Sequence, residues 1–342
     1  MRPMAWPRAG LVLAWGSVAV SLALAPWLAD ASVWVLALPW ALSAVVLGLP
    51  HGAADPVVPF RMRGEPLRVG PVAAFGVAYL ALSGLVLVLW WATPVAAALG
   101  FLLLTWAHWG QGDVFALRAL GWDRHLARSG QLALTLVVRG ALPMAVPLLA
   151  FPATYAETVG AMAAAVSPAH EGAARAAVLA VPRGALAAAL GVVVAGYALW
   201  GASVARRRPG GWRTLGLDLA EVSGLAALFA VVPPLWSVGV YFCLWHALRH
   251  LARLAPAVAG GSGWRLAALA TPATLGALAL IGGLAGATVG LGRPLASVGV
   301  YLVGIAALTV PHVAVCVWMD LRQQVWVRPE PGRSPHPGGD PW

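Results

Sequence analysis

Long, nearly uninterrupted apolar runs recur along the whole chain, separated by short polar connections rich in arginine, glycine and proline. Each run is about 18–25 residues long, the length a helix needs to cross the hydrocarbon core of a bilayer. The alternating ten-residue strands of outer-membrane barrels are absent, and a soluble core of this size has no use for so many uninterrupted apolar stretches. The pattern predicts ten helices at roughly 11–29, 33–50, 71–91, 94–111, 131–151, 184–204, 214–232, 235–254, 266–290 and 296–319. The expected fold class is therefore all-α, a polytopic integral membrane helix bundle. One transmembrane helical domain is expected over 1–328, and the proline- and glycine-rich 329–342 reads as a disordered C-terminal tail.

Composition agrees, with 61% hydrophobic and 10% charged residues in a chain of 342. All 22 basic residues are arginine and the net charge is +10, a balance that would suit a polyanionic partner. Their placement says otherwise. With a cytoplasmic N-terminus, one side collects Arg2, Arg8, Arg61, Arg63, Arg68, Arg118, Arg124, Arg128, Arg206, Arg207, Arg208, Arg213, Arg253, Arg265, Arg322, Arg328 and Arg333, and the other only Arg175, Arg183 and Arg293. This bias fits the positive-inside rule with both termini cytoplasmic and a multi-pass location in the cell membrane. The basic charge thus encodes topology and contact with membrane lipid headgroups, not nucleic acid. The first span is expected to be retained rather than cleaved, because a second comes at once after it. Two cysteines, Cys243 and Cys316, indicate no disulfide framework and read as small apolar fillers.

Five of the eight histidines, His51, His108, His246, His250 and His312, sit inside or at the ends of these runs. Each lies on an even-numbered helix, in the later part of its span, so all five fall at a similar depth in the cytoplasmic half. His246 and His250 are four apart and share one helix face. Ionisable groups within a membrane are costly and face a functional interior, and convergence of five imidazoles points to a metal; His125 and His170, in predicted loops, and His336, in the tail, are excluded. Zinc, copper, iron and nickel all suit imidazole donors, whereas a cysteine-based zinc or iron–sulfur site has no ligands here. Asp55 and Asp113 come shortly after His51 and His108 and either support the imidazoles from outside or pair with loop arginines at the headgroups. Glu221, inside the seventh span, needs a partner: it pairs with Arg249 or supports the site, with Asp218 one turn earlier nearer the surface. Gly48, Gly52, Gly110 and Gly112 allow close approach at broken helix ends. Of the eighteen tryptophans, Trp27, Trp34, Trp90 and Trp91 fit an interfacial belt, while Trp106, Trp109, Trp245 and Trp318 flank the histidines. The external segment 152–183 reads as a short surface helix pair.

The combination Gly48-Leu-Pro-His51-Gly-Ala-x-Asp55, His108-Trp-Gly-x-Gly-Asp113, His246-x-x-Arg249-His250 and Pro311-His312 resembles the Brp/Blh family of microbial β-carotene 15,15'-dioxygenases. The resemblance covers four helix ends, in family order, and finds no motif in 150–230. It implies that 1–328 is a catalytic domain holding Fe(2+) on His51, His108, His246 and His250. His312 would be a fifth catalytic residue, a ligand or a group that orients O2. The implied reaction is cleavage of β-carotene drawn from the bilayer, with O2, into two molecules of all-trans-retinal, which an opsin would use. Trp109, Trp245, Tyr241 and Phe242 are placed to stabilise cationic character on a polyene or to pack the helices. Two other classes use similar residues. A di-iron desaturase needs about eight clustered imidazoles and finds too few here; a histidine-ligated haem electron carrier or a metal transporter needs fewer.

Overall fold

The computed structural model describes residues 8–290 and 294–327; the tail 329–342 and His336 lie outside them. Every regular element among the described residues is helical. Helix α1 is Arg8–Leu28, α2 is Leu38–Met62, α3 is Val69–Ala92, α4 is Pro94–Ala119 and α5 is Ser129–Ala150. Then come α6, Pro152–Val166, α7, Glu171–Leu179, α8, Arg183–Ala205, and α9, Gly211–Val231. Helix α10 is built from Pro234–Val240, Tyr241–Ala247 and Leu248–Ala259, and leads to α11, Gly263–Gly290, and α12, Pro294–Arg322. Proline opens α4, α6 and α10, where its missing N–H costs nothing and its fixed φ favours the first turn. Gly260, at φ 61°, ends α10 in the left-handed cap that glycine adopts without strain.

Eight of the described helices are long and apolar enough to cross a membrane. The chain is a polytopic helical membrane protein. The expected spans at 94–111 and 235–254 are present as α4 and α10 but are less apolar than those eight, because they carry His108, Gln111, His246, Arg249 and His250. Two helices are locally rewound. A π-helical turn covers Ser43–Leu47 in α2 and another Tyr241–Ala247 in α10. Each such turn rotates the remainder of its helix about the axis, a device concentrated at functional sites. Gly48 is required by the first: a Cβ there would sit 1.8 Å from the Ser43 hydroxyl.

The α4–α5 pair forms the centre, with 61% of the most apolar stretch of α5 buried against 6% for that of α3 and 11% for that of α8, which are peripheral. Gly110 and Gly140 permit this packing, since a Cβ on Gly110 would lie 2.1 Å from the Leu136 carbonyl and one on Gly140 2.0 Å from that of Trp106. Helix α5 also packs on α8 and α9, and α11 on α2, α10 and α12. The segment expected as a surface helix pair is corrected in part. Helix α6 packs against α12 and buries Ala156, Val159, Met162 and Ala163, because its small and apolar residues form one continuous face; His170, beyond it, is exposed.

Candidate metal centre

The four motif segments converge. His51 on α2, His108 on α4, His246 and His250 on α10 and His312 on α12 are each less than a tenth exposed. Ring centroids lie 4.8 Å apart for His51–His312, 4.9 Å for His108–His246, 5.0 Å for both His108–His312 and His250–His312, and 5.5–5.6 Å for His51 against His250 and His246. These pairs meet at 73–86°, so neighbouring rings are set edge to face.

Three rings are held from behind through Nδ1. His51 Nδ1–H donates to the Gly48 carbonyl, His108 Nδ1–H to Gln111 Oε1 at 3.4 Å, and His312 Nδ1–H to Asp55 Oδ2 at 2.7 Å. The Nε2 atoms of His108, His246 and His250 are buried and have no hydrogen-bond partner in the protein. A buried donor or acceptor left unmade costs about 1–3 kcal/mol, and three at one spot require an external partner. Candidate ligand atoms form three overlapping groups within 4.8 Å, His51/His246/His312, His108/His312/Cys316 and Asp55/His250/His312. His312 is common to all three groups, two of which bring in Cys316 or Asp55, and none contains more than two of His51, His108, His246 and His250; this donor set, mostly imidazole, suits a transition-metal ion. Cys316, expected as filler, has Sγ 3.5 Å from His312 Nε2; Cys243 is buried and unpaired.

Behind the histidines lies a buried ionic layer. Arg139 on α5 donates to Asp218 Oδ1 at 2.5 and 3.1 Å, to Asp113 Oδ2 at 3.1 Å and to Glu221 Oε2 at 2.9 Å. Arg249, between the paired histidines in sequence, donates to Asp113 Oδ1 at 3.0 Å and Glu221 Oε1 at 2.5 Å and stacks over the Trp245 ring. Asp113 thus takes neither expected course: its bonds go to two arginines within the bundle rather than to an imidazole or a loop arginine, because α4 continues past it to Ala119. Glu221 does pair with Arg249. Asp55 reaches His312, on α12, rather than its neighbour His51. Asp218 is fully buried rather than near the surface, accepting from Tyr197 and lying 2.8 Å from His125 Nε2. His125 is in a loop as expected, but the loop folds inward and leaves it 0% exposed. On another side, Gln111 Nε2 donates to Asp320 Oδ2 at 2.9 Å, and Arg253 to Asp320 Oδ1 at 2.7 Å.

A cavity of about 1060 Å³ opens onto the cluster, and His51, His108, His246 and His312 form part of its wall. The remainder is mostly hydrocarbon and aromatic, including Trp40, Trp109, Met144, Tyr155, Met162 and Phe242, and its lining residues include no Asp, Glu, Lys or Arg. Trp109 and Phe242 are thus at the cavity, whereas Trp245 and Tyr241 pack behind it, Trp245 donating to Asp113 at 3.3 Å. Leu80, Leu87 and Leu280 line the cavity yet are 43–65% exposed, so it is open toward the lipid-facing surface.

A family model described as beta-carotene 15,15'-dioxygenase matches residues 42–320, a stretch that contains all five histidines. The chain belongs to the β-carotene 15,15'-dioxygenase family. It is 40% identical over 336 residues to a probable beta-carotene 15,15'-dioxygenase Blh of Halobacterium salinarum, covering 93% of this chain and 94% of the relative. A probable beta-carotene 15,15'-dioxygenase Brp of the same species is 27% identical over 312 residues, 84% of each chain. A beta-carotene 15,15'-dioxygenase of an uncultured marine bacterium, 66A03, is 35% identical over 92 residues, 26% of this chain and 34% of the relative. No solved structure matches.

Arg139 is the main residue of the site missing from the sequence-based expectations. Its signal was present: an arginine nine residues into the apolar run 131–151 is as improbable a lipid-facing residue as Glu221. The expectation that Arg249 would partner Glu221 left Asp113 and Asp218 without a named cation, and that shortfall pointed to a further one. Gln111 and Tyr79 carried no comparable signal, since their roles depend on partners 209 and 24 residues away.

Proposed function

We propose that this chain is a non-haem iron(II) dioxygenase that cleaves the central 15,15' double bond of β-carotene with O2, giving two molecules of all-trans-retinal. The observation that carries the reading is the meeting of a five-imidazole cluster, with three unpartnered Nε2 atoms, and a large apolar cavity open toward lipid. His51, His108, His246 and His250 would hold the ion, with His312 as a fifth catalytic residue. Imidazole pairs set edge to face around one point favour a single ion over a flat macrocycle. When bound, iron(II) supplies the one-electron chemistry that lets O2 react with a closed-shell alkene.

The remaining tasks fall to the chain's own residues. A polyene dissolved in the bilayer is bound by dispersion and hydrophobic contact with the cavity wall. Trp109 and Phe242, ring centroids 6.0 Å apart and nearly stacked, present flat faces beside His246. Regioselectivity rests on distance: the wall fixes how far the molecule slides before its midpoint meets the histidines. In the overall reaction one C=C bond breaks and each carbon takes one oxygen atom, so no net proton is taken up or released. A wall with no carboxylate, lysine or arginine meets that requirement and keeps water out.

Co-expression in carotenoid-accumulating bacteria tests the reading. Bleaching with formation of retinal, lost in His51→Ala, is expected; unchanged carotenoid with the protein present in the membrane and iron supplied would refute it. The arginine bias carries the accompanying proposal of a cell-membrane location with both termini cytoplasmic. Reporter fusions at each end should give cytoplasmic signals.

A further inference from the structure

Tyr79 belongs to none of the histidine motifs, yet it reaches the cluster. It lies on α3, the least buried of the eight membrane-length apolar helices, and its side chain forms part of the cavity wall. Its hydroxyl is 3.1 Å from Asp55 Oδ2 and 3.1 Å from the Leu308 carbonyl. The same Asp55 Oδ2 accepts from His312 Nδ1 at 2.7 Å. Asp55 is 0% exposed and His312 5%. Three helices, α2, α3 and α12, therefore meet through one carboxylate oxygen.

The arrangement restricts His312. A carboxylate can only accept, so His312 must carry its proton on Nδ1 and present Nε2 as a lone pair. His312 is also the residue common to all three candidate ligand groups. Of the three rings tied through Nδ1, His312 alone is tied to a carboxylate, which makes its other nitrogen, Nε2, 3.5 Å from Cys316 Sγ, the better donor. Tyr79 in turn fixes Asp55: without it the carboxylate could rotate about χ2, since Asp55 Oδ1 has no partner.

We propose that Tyr79 and Asp55 are positioning residues that hold His312 with Nε2 turned to the metal, and that His312 is a ligand rather than only a group beside O2. This rests on the proposed function, because it presumes that a metal is bound. It goes further by deciding the role of His312 and by assigning Tyr79, through which the cavity wall and the metal centre share a residue.

The test uses the purified full chain in detergent, with Co(II) as the probe and both affinity and the ligand-field absorption as readouts. Tyr79→Phe, which removes only the hydroxyl, should weaken Co(II) binding about tenfold, as expected for a hydrogen bond to a charged group. Asp55→Leu should weaken it by about 10–100-fold, and both should shift the absorption in the direction seen for His312→Ala. Asp55→Asn, which keeps an accepting oxygen, should recover most of the affinity. In a His312→Ala background neither Tyr79→Phe nor Asp55→Leu should cause further loss, because their effect passes through that ring. Additive losses in that background, or a Tyr79→Phe protein with wild-type affinity and absorption, would overturn the proposal. If Asp55→Leu does not assemble, Tyr79→Phe and Asp55→Asn still decide it. The two readings fail differently: a wild-type chain that binds no metal overturns the proposed function, while metal bound normally but indifferent to Tyr79 overturns only this inference.

Discussion

Replacing Arg139 by leucine should damage this protein more than replacing any surface arginine. The guanidinium makes four hydrogen bonds of 2.5–3.1 Å to Asp113, Asp218 and Glu221, and is 0% exposed. Leucine fills part of the volume but leaves three buried carboxylates facing one remaining guanidinium, that of Arg249. Removing one partner of a buried ion pair costs about 3–5 kcal/mol, mostly the penalty of the charge left behind. Because Asp218 keeps Tyr197 and His125, and Asp113 and Glu221 keep Arg249, the loss should fall within that range rather than triple it. Arg139→Lys retains the charge but not the fork, and one ammonium cannot span Asp218 and the Asp113–Glu221 pair together; roughly half the loss is expected. Thermal unfolding in detergent micelles, monitored by helical circular dichroism, measures the order wild type, Lys, Leu. The double variant Arg139→Leu/Asp218→Leu should recover stability relative to Arg139→Leu, since it removes an unpaired charge. A single Leu variant with an unchanged midpoint, or a double variant less stable than the single, would refute the reasoning.

The same geometry sets three further outcomes. His250→Ala should lose both bound iron, measured by elemental analysis, and cleavage, measured as retinal formed. Gly110→Val should separate α4 from α5, because its Cβ would start 2.1 Å from a backbone carbonyl; lowered thermal stability together with lost metal is expected, and normal metal content would contradict the packing argument. Gly84→Leu places a side chain into open cavity, as nothing lies within 4 Å of its Cβ position. Iron content should stay at the wild-type level while the KM for carotenoid rises several-fold.

What the sequence disclosed depended on the range of the physics involved. Apolar runs announce helices because backbone satisfaction in a bilayer is local, so ten runs could be placed from residue spacing alone. The convergence of His51, His108, His246, His250 and His312 was also legible, since each must leave the lipid and depth parity put them at one level. Side-chain pairing was less so. Asp55 is four residues from His51 but bonds His312, 257 residues away, because the 3-10 turn at Asp55–Val57 redirects it. The π-turns had no sequence mark apart from Gly48, and the small, apolar face of α6 did not by itself reveal that α12 would cover it.

The buried charges bind these observations together. Among the described residues less than a tenth exposed, the carboxylates are Asp55, Asp113, Asp218, Glu221 and Asp320, and the guanidiniums Arg139, Arg249 and Arg253. With every imidazole counted as neutral, and with Arg118, its side chain 8% exposed, neutralised by its own partner Asp123, these groups carry two negative charges in excess. Uncompensated charge in a low-dielectric interior is strongly unfavourable, and the arginines, each already hydrogen-bonded to carboxylates, do not cancel it. A divalent cation held by neutral histidines, as proposed above, would supply two positive charges beside the same layer. The proposed ion would therefore not be left uncompensated: Asp55 bonds the His312 ring, while Asp113, Asp218 and Glu221 hold the helices behind the histidines through Arg139 and Arg249. In a bundle arranged this way, ligand set and ionic layer depend on each other, and so a histidine cluster transplanted without Asp113, Arg139, Asp218 and Glu221 should bind its metal weakly.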